Sequence, residues 1–246
     1  MDELDASDEY LATWFWKRAG GRQGFPADVG YAAMSALEVY IEEVANLTTR
    51  VAASRTGRDC EVVERALHGC IVVNRAGVGI LLEKSDDEAQ KRFTVAHEAA
   101  HYILEVRQLR ERAVERMGRD FARVLYGQRK ATPTERIDAW LRNVRSDEFV
   151  HFMDRAPDGG YGCARTGKAE CGADDLALEI LAPRSDMKEA LSSLGRMSFA
   201  KSLSAARRIA EDRYGLPGPI ADMYASRVVW QMRGGPSSAE RFGFGV

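Results

Sequence analysis

Residues 97–101 read His-Glu-Ala-Ala-His, and their side chains are spaced for metal chemistry. Residues four apart on an α-helix differ by about 40° in direction, so His97 and His101 project from one face and can reach one metal ion. Glu98 stands a further step round the helix, within reach of a water on that metal. This is the H-E-x-x-H arrangement of zinc peptidases: a metal-activated water as nucleophile and a carboxylate as general base. The chain has 4 histidines. At its composition a chance H-E-x-x-H is expected in about one such chain in 200, so the pattern stands clear of background.

The flanks support the reading. Phe93-Thr94-Val95-Ala96 precedes the pentapeptide and Tyr102-Ile103-Leu104 follows it, the pattern of a buried helix. Buried His, Glu and His side chains need something to satisfy them, and a cation does so. Two core histidines bonded to backbone carbonyls would leave the spacing and the carboxylate unexplained. A catalytic zinc takes three protein ligands and keeps one position open. The metzincin spacing would require glycine at 104 and histidine at 107, where this chain has Leu104 and Arg107. The third ligand therefore comes from elsewhere, usually a carboxylate on another helix. Glu170, Asp174, Asp175 and Glu179 are the candidates.

The elements that must position these groups are readable in outline. Residues 8–55 are expected to be helical, with one apolar face from Tyr10, Leu11, Trp14 and Phe15 and a longer one from Ala32 to Val51. Gly20-Gly21 and Gly24-Phe25-Pro26 break the run. Cys70–Val73 and Val78–Leu82, joined by Asn74-Arg75-Ala76-Gly77, predict a β-hairpin able to offer an edge strand to an extended peptide. Ser85 with Glu88 reads as a capping box opening the motif helix. About 106–156 reads as a charged, solvated helical insert, and Gly159-Gly160-Tyr161-Gly162 as a loop. A helix is expected from about Lys168 to Leu181, stopped by Pro183, then helices across 186–232 with Ser198 as a cap, and a flexible tail over 233–246. Tyr161 and His151 are candidates by position for a second electrophile. The fold class is α+β, mostly helical with a small hairpin or sheet, and residues 1–232 are expected to form a single domain.

Composition narrows the partners. An apolar fraction of 45%, a charged fraction of 29% and a net charge of −2 describe an ordinary globular chain with no basic field for nucleic acid. The acidic start, Met1-Asp2-Glu3-Leu4-Asp5, lacks a signal-peptide pattern and no apolar run reaches the length of a membrane span, so a cytoplasmic location is expected. Cys60, Cys70, Cys163 and Cys171 form no C-x-x-C pair and read as free thiols. The main alternative is a non-catalytic DNA-binding regulator or toxin–antitoxin component with a structural metal site. It would use the helices about Gly215–Gly218 with Arg207, Arg208 and Arg227. Gly162-Cys163-Ala164-Arg165-Thr166-Gly167-Lys168-Ala169 approaches a phosphate-binding loop, but Ala169 stands where Ser or Thr must hold magnesium.

The block Arg92-Phe93-Thr94-Val95-Ala96-His97-Glu98-Ala99-Ala100-His101 resembles the ImmA/IrrE family of bacterial metallopeptidases. So does the later Glu170-x-x-Ala173-Asp174-x-Leu176-Ala177 with Leu181-Ala182-Pro183. Ala100, Leu176 and Ala182 replace the Gly, Phe and Met usual there, and the 68 residues between His101 and Glu170 exceed the usual gap. The resemblance implies a zincin-like metallopeptidase domain with Zn²⁺ on His97, His101 and Glu170. Asp174 would orient a ligating imidazole and Glu98 would act as general base. It also implies a protein substrate, expected to act in trans, such as a helix-turn-helix repressor in stress response or mobile-element control; from the charge balance, nucleic acid is not expected as a direct partner.

Overall fold

The computed structural model describes residues 7–56, 63–74, 77–142, 149–154 and 164–236. The chain divides into two compact units, Met1–Ala36 with Asp87–Ala96 and Asp175–Val246, and Leu37–Asp86 with His97–Asp174. In chain order the helices and strands are α1 (Asp8–Arg18), α2 (Val29–Leu37), β1 (Val39–Val44), α3 (Thr49–Thr56), β2 (Leu67–Asn74), β3 (Gly77–Glu83), α4 (Glu88–His101), α5 (Gln108–Met117), α6 (Ala122–Leu125), α7 (Pro133–Leu141), β4 (Phe149–Asp154), α8 (Ala164–Leu181), α9 (Arg184–Ser193), α10 (Phe199–Arg208) and α11 (Gly218–Arg233). This is an α+β, mostly helical arrangement with one small mixed sheet. No helix among the described residues is long and apolar enough to cross a membrane.

The second unit is built on a four-stranded sheet of order β1-β3-β2-β4. The expected hairpin forms, β2 antiparallel to β3 with Asn74 opposite Gly77; Arg75 and Ala76 of its turn lie outside the described residues. Both hairpin strands are interior, because β1 covers β3 in parallel and β4 covers β2 antiparallel. The expectation that the hairpin offers an edge is therefore corrected: the outer strands are β1 and β4. Two segments expected to be helical are strands. Val39–Val44 is β-branched at three of its six positions, and Glu38, at φ 56°, takes the left-handed conformation that ends α2 before it. Phe149–Asp154, within the expected helical insert, is apolar or aromatic up to Met153 and pairs with β2.

One cluster in this unit joins Val44, Leu47, Ala52, Leu67, Cys70 and Leu81, with Phe152 packed against it. Another joins Ala113, Phe121, Leu125 and Ala139 of the helical insert. Fully buried side chains such as Ile71, Ile80 and Phe121 each contribute roughly 1.5–3 kcal/mol. Glu83 ends β3 and is itself buried. It accepts from the Leu47 amide at 2.6 Å, the Ser85 amide at 2.9 Å and the Ser85 hydroxyl at 2.7 Å. Ser85 is thus committed to Glu83, and the cap of α4 is Asp87, whose Oδ1 accepts from the Gln90 amide at 2.8 Å.

In the first unit α1 buries Leu11, Ala12, Phe15 and Trp16. Pro183 cannot continue α8, and the carbonyls left at that end find side-chain donors. Trp16 Nε1 reaches the Ile180 oxygen at 3.0 Å, Arg22 reaches it at 2.9 Å, and the Tyr224 hydroxyl donates to Ala182. Ser198 caps α10 as expected, accepting from the Lys201 amide. Gly215 sits at φ 65° against Arg92, where an added Cβ would stand 2.5 Å from the guanidinium.

Candidate metal centre

His97, Glu98 and His101 lie on the last turns of α4 and are 2%, 0% and 0% exposed. Glu170 and Asp174 lie one turn apart on α8, and all of these groups belong to the second unit. His97 Nε2 and His101 Nε2 stand 3.1 Å apart, and Glu170 Oε2 is 3.4 Å from the first and 3.5 Å from the second. Zinc–ligand bonds of about 2.0–2.1 Å in a tetrahedron give ligand–ligand edges of about 3.3 Å. The triangle therefore has the size of one face of a zinc coordination sphere.

The outer nitrogens fix which atoms face inward. His97 Nδ1 lies 2.9 Å from Asp174 Oδ1, and His101 Nδ1 lies 2.6 Å from Glu105 Oε1. A carboxylate accepts, so each Nδ1 donates and each Nε2 lone pair points to the centre of the triangle. Two lone pairs 3.1 Å apart repel unless a cation or proton lies between them. Four carboxylates (Glu98, Glu105, Glu170 and Asp174) surround three imidazoles, a donor set suited to a divalent cation. In the metal-free protein protons take that role. Burial, the strongest influence on His97, opposes its charge, but Asp174, Glu170 and Glu98 outweigh it and hold it at about 9. His151 follows the same logic, with burial overcome by Glu98 and Glu170, and is held at about 10. Burial pushes Glu170 up, yet the hydrogen bonds of His101, His151 and His97 hold it far below the usual carboxylate range.

Sequence reasoning missed two partners. Glu105 lies in a π-helical turn, Tyr102–Arg107, that follows α4 directly. Its i,i+4 spacing from His101 was a usable signal. The sequence singles out His151 by position alone. From β4 its Nδ1 lies 3.0 Å from Glu98 Oε2 and its Nε2 2.8 Å from Glu170 Oε1. The ligand atoms of His97, His101, His151 and Glu170 all lie within 4.8 Å of one another, so this group could hold a metal ion. The alternatives to Glu170 are engaged elsewhere: Asp174 on His97, Asp175 with Arg227, and Glu179 with Arg184.

The remaining candidates fall away or lie outside the description. Arg165–Ala169 is helical, so the phosphate-loop resemblance does not correspond to a loop there. Burial first, and then the charge of Glu98, pushes the Cys70 thiol up, which keeps it protonated and unreactive. Cys171 is a free, exposed thiol. Tyr161, Cys60, Cys163 and the 237–246 stretch of the expected tail lie outside the described residues.

Residues 51–131 match the family model of the IrrE N-terminal-like domain, Peptidase_M78, so this segment is similar to the ImmA/IrrE metallopeptidases. The match takes in the hairpin and the H-E-x-x-H helix and ends before His151 and Glu170. No curated protein matches the chain.

Proposed function

We propose that the chain is a zinc-dependent endopeptidase that cuts another protein at few sites, with a helix-turn-helix repressor as the substrate class. The observation carrying this reading is the triangle of His97 Nε2, His101 Nε2 and Glu170 Oε2, with sides of 3.1, 3.4 and 3.5 Å, beside the Glu98 carboxylate. His97, His101 and Glu170 would hold the metal, and the bound ion would supply Lewis acidity and bring a water's pKa toward about 7. Glu98 takes the proton of the attacking water and returns it to the leaving amine nitrogen. Its Oε1 is suited to this, being buried with no hydrogen-bond partner among the described residues. Asp174 and Glu105 hold the two ligating imidazoles in the tautomer that directs Nε2 inward.

The outer edge of β4 is unpaired among the described residues and adjoins the site through His151, which suits it to receive an extended segment of substrate. The repressor as substrate, and a role in stress response or mobile-element control, follow from the resemblance to the ImmA/IrrE family. The test is incubation of the zinc-loaded protein with a panel of helix-turn-helix repressors. The expected result is discrete fragments from at least one of them, abolished by a chelator. Repressors left intact throughout contradict the substrate class, and cleavage that survives chelation contradicts the metal mechanism.

A further inference from the structure

His151 sits in the middle of β4, paired with Ile71 of β2, and its side chain is 13% exposed. Both ring nitrogens face carboxylates: Nδ1 is 3.0 Å from Glu98 Oε2 and Nε2 is 2.8 Å from Glu170 Oε1. Since carboxylates only accept, both nitrogens donate. Each carboxylate thereby has one oxygen engaged by His151 and the other turned away from it. For Glu170 the oxygen turned away from His151 is Oε2, which faces His97 Nε2 and His101 Nε2 as the corner of the metal triangle. For Glu98 it is Oε1, which has no partner among the described residues.

The ring geometry separates this role from that of a fourth ligand. Two imidazoles sharing a tetrahedral zinc at about 2.0–2.1 Å have ring centroids about 5 Å apart and inclined to one another. His97 and His101 meet this, at 4.7 Å and 67°. His101 and His151 do not, since they stack at 3.6 Å and 23°. Stacked rings cannot both aim a nitrogen at one ion.

We propose that His151 is a positioning residue of the metal centre: its two N–H groups make Glu170 a one-oxygen ligand and leave the second oxygen of Glu98 for the nucleophile. This rests on the metal-site reading above and adds the device that keeps one coordination position open. Without the brace, Glu170 can turn both oxygens to the metal and close that position.

The test uses the whole 246-residue chain as wild type, His151→Phe and His151→Gln, each loaded with zinc or with Co²⁺. X-ray absorption at the zinc edge of wild type should count two imidazoles. In His151→Phe the visible Co²⁺ bands should weaken as the coordination number rises, and zinc affinity should fall by about 10–100-fold. His151→Gln keeps an N–H donor and should recover part of both effects. Melting of the metal-free variants monitors folding, and His151→Gln decides alone if His151→Phe does not fold. Three imidazoles on zinc in wild type overturn the proposal in favour of a fourth ligand. Spectra and affinity unchanged in both variants reduce His151 to packing. Wild type that takes up no zinc or cobalt overturns the metal-site reading itself, and this inference with it.

Discussion

The two oxygens of Glu98 stand in different surroundings, Oε2 accepting from His151 and Oε1 buried without a partner among the described residues. This asymmetry separates holding the base from using it. Glu98→Gln keeps the shape and removes the proton acceptor. It should retain one zinc per chain while lowering the cleavage rate by about 10²–10⁴-fold, read from metal content and turnover on the same preparation. A comparable loss of zinc would instead make Glu98 a ligand. At this scale the sequence showed what helical periodicity encodes within a few residues: His97, Glu98 and His101 on one turn of α4. Glu170 and Asp174 were readable only in part, as two of four candidate carboxylates that the resemblance then singled out, because 68 residues separate Glu170 from His101. His151 was not readable as a partner, since its contacts to Glu98 and Glu170 arise from strand pairing.

At the scale of elements, the misread segments were those whose structure is decided by partners far along the chain. Val39–Val44 continues a helical-looking run, yet pairing with Val78–Glu83 makes it a strand. Phe149–Asp154 follows a highly charged stretch, and only β2 beside it makes it a strand. The hairpin, α8, the Pro183 stop and the Ser198 cap were readable because turn residues, proline and capping side chains act locally. Glu83 shows the same dependence on distant partners. Burial pushes its pKa up, but hydrogen bonds from Ser85 and the Leu47 and Asn46 amides prevail and hold it at about 2. A depressed carboxylate stabilises the fold above its ordinary value, 4.5, and loses that contribution as pH falls from there to about 2. Glu83→Gln should therefore lower stability at pH 7 by roughly 2–3 kcal/mol and flatten the acid limb of the stability curve, measured by denaturant unfolding from pH 7 to pH 2. An unchanged acid limb would mean that Glu83 does not hold the Asn46–Leu47 turn.

For the whole molecule, every group of the candidate centre falls in one compact unit, on α4, the π-turn after it, β4 and α8. The family match ends at residue 131, so it supports the motif helix but not the third ligand that an open catalytic site requires. The central claim is that His97, His101 and Glu170 together hold one metal ion. The most direct test is zinc content by elemental mass spectrometry, on wild type and Glu170→Ala purified side by side. The account predicts one zinc per chain in wild type and its loss or sharp reduction in the variant. Full retention of zinc by Glu170→Ala, or a wild type that stays metal-free after zinc is added, would contradict it.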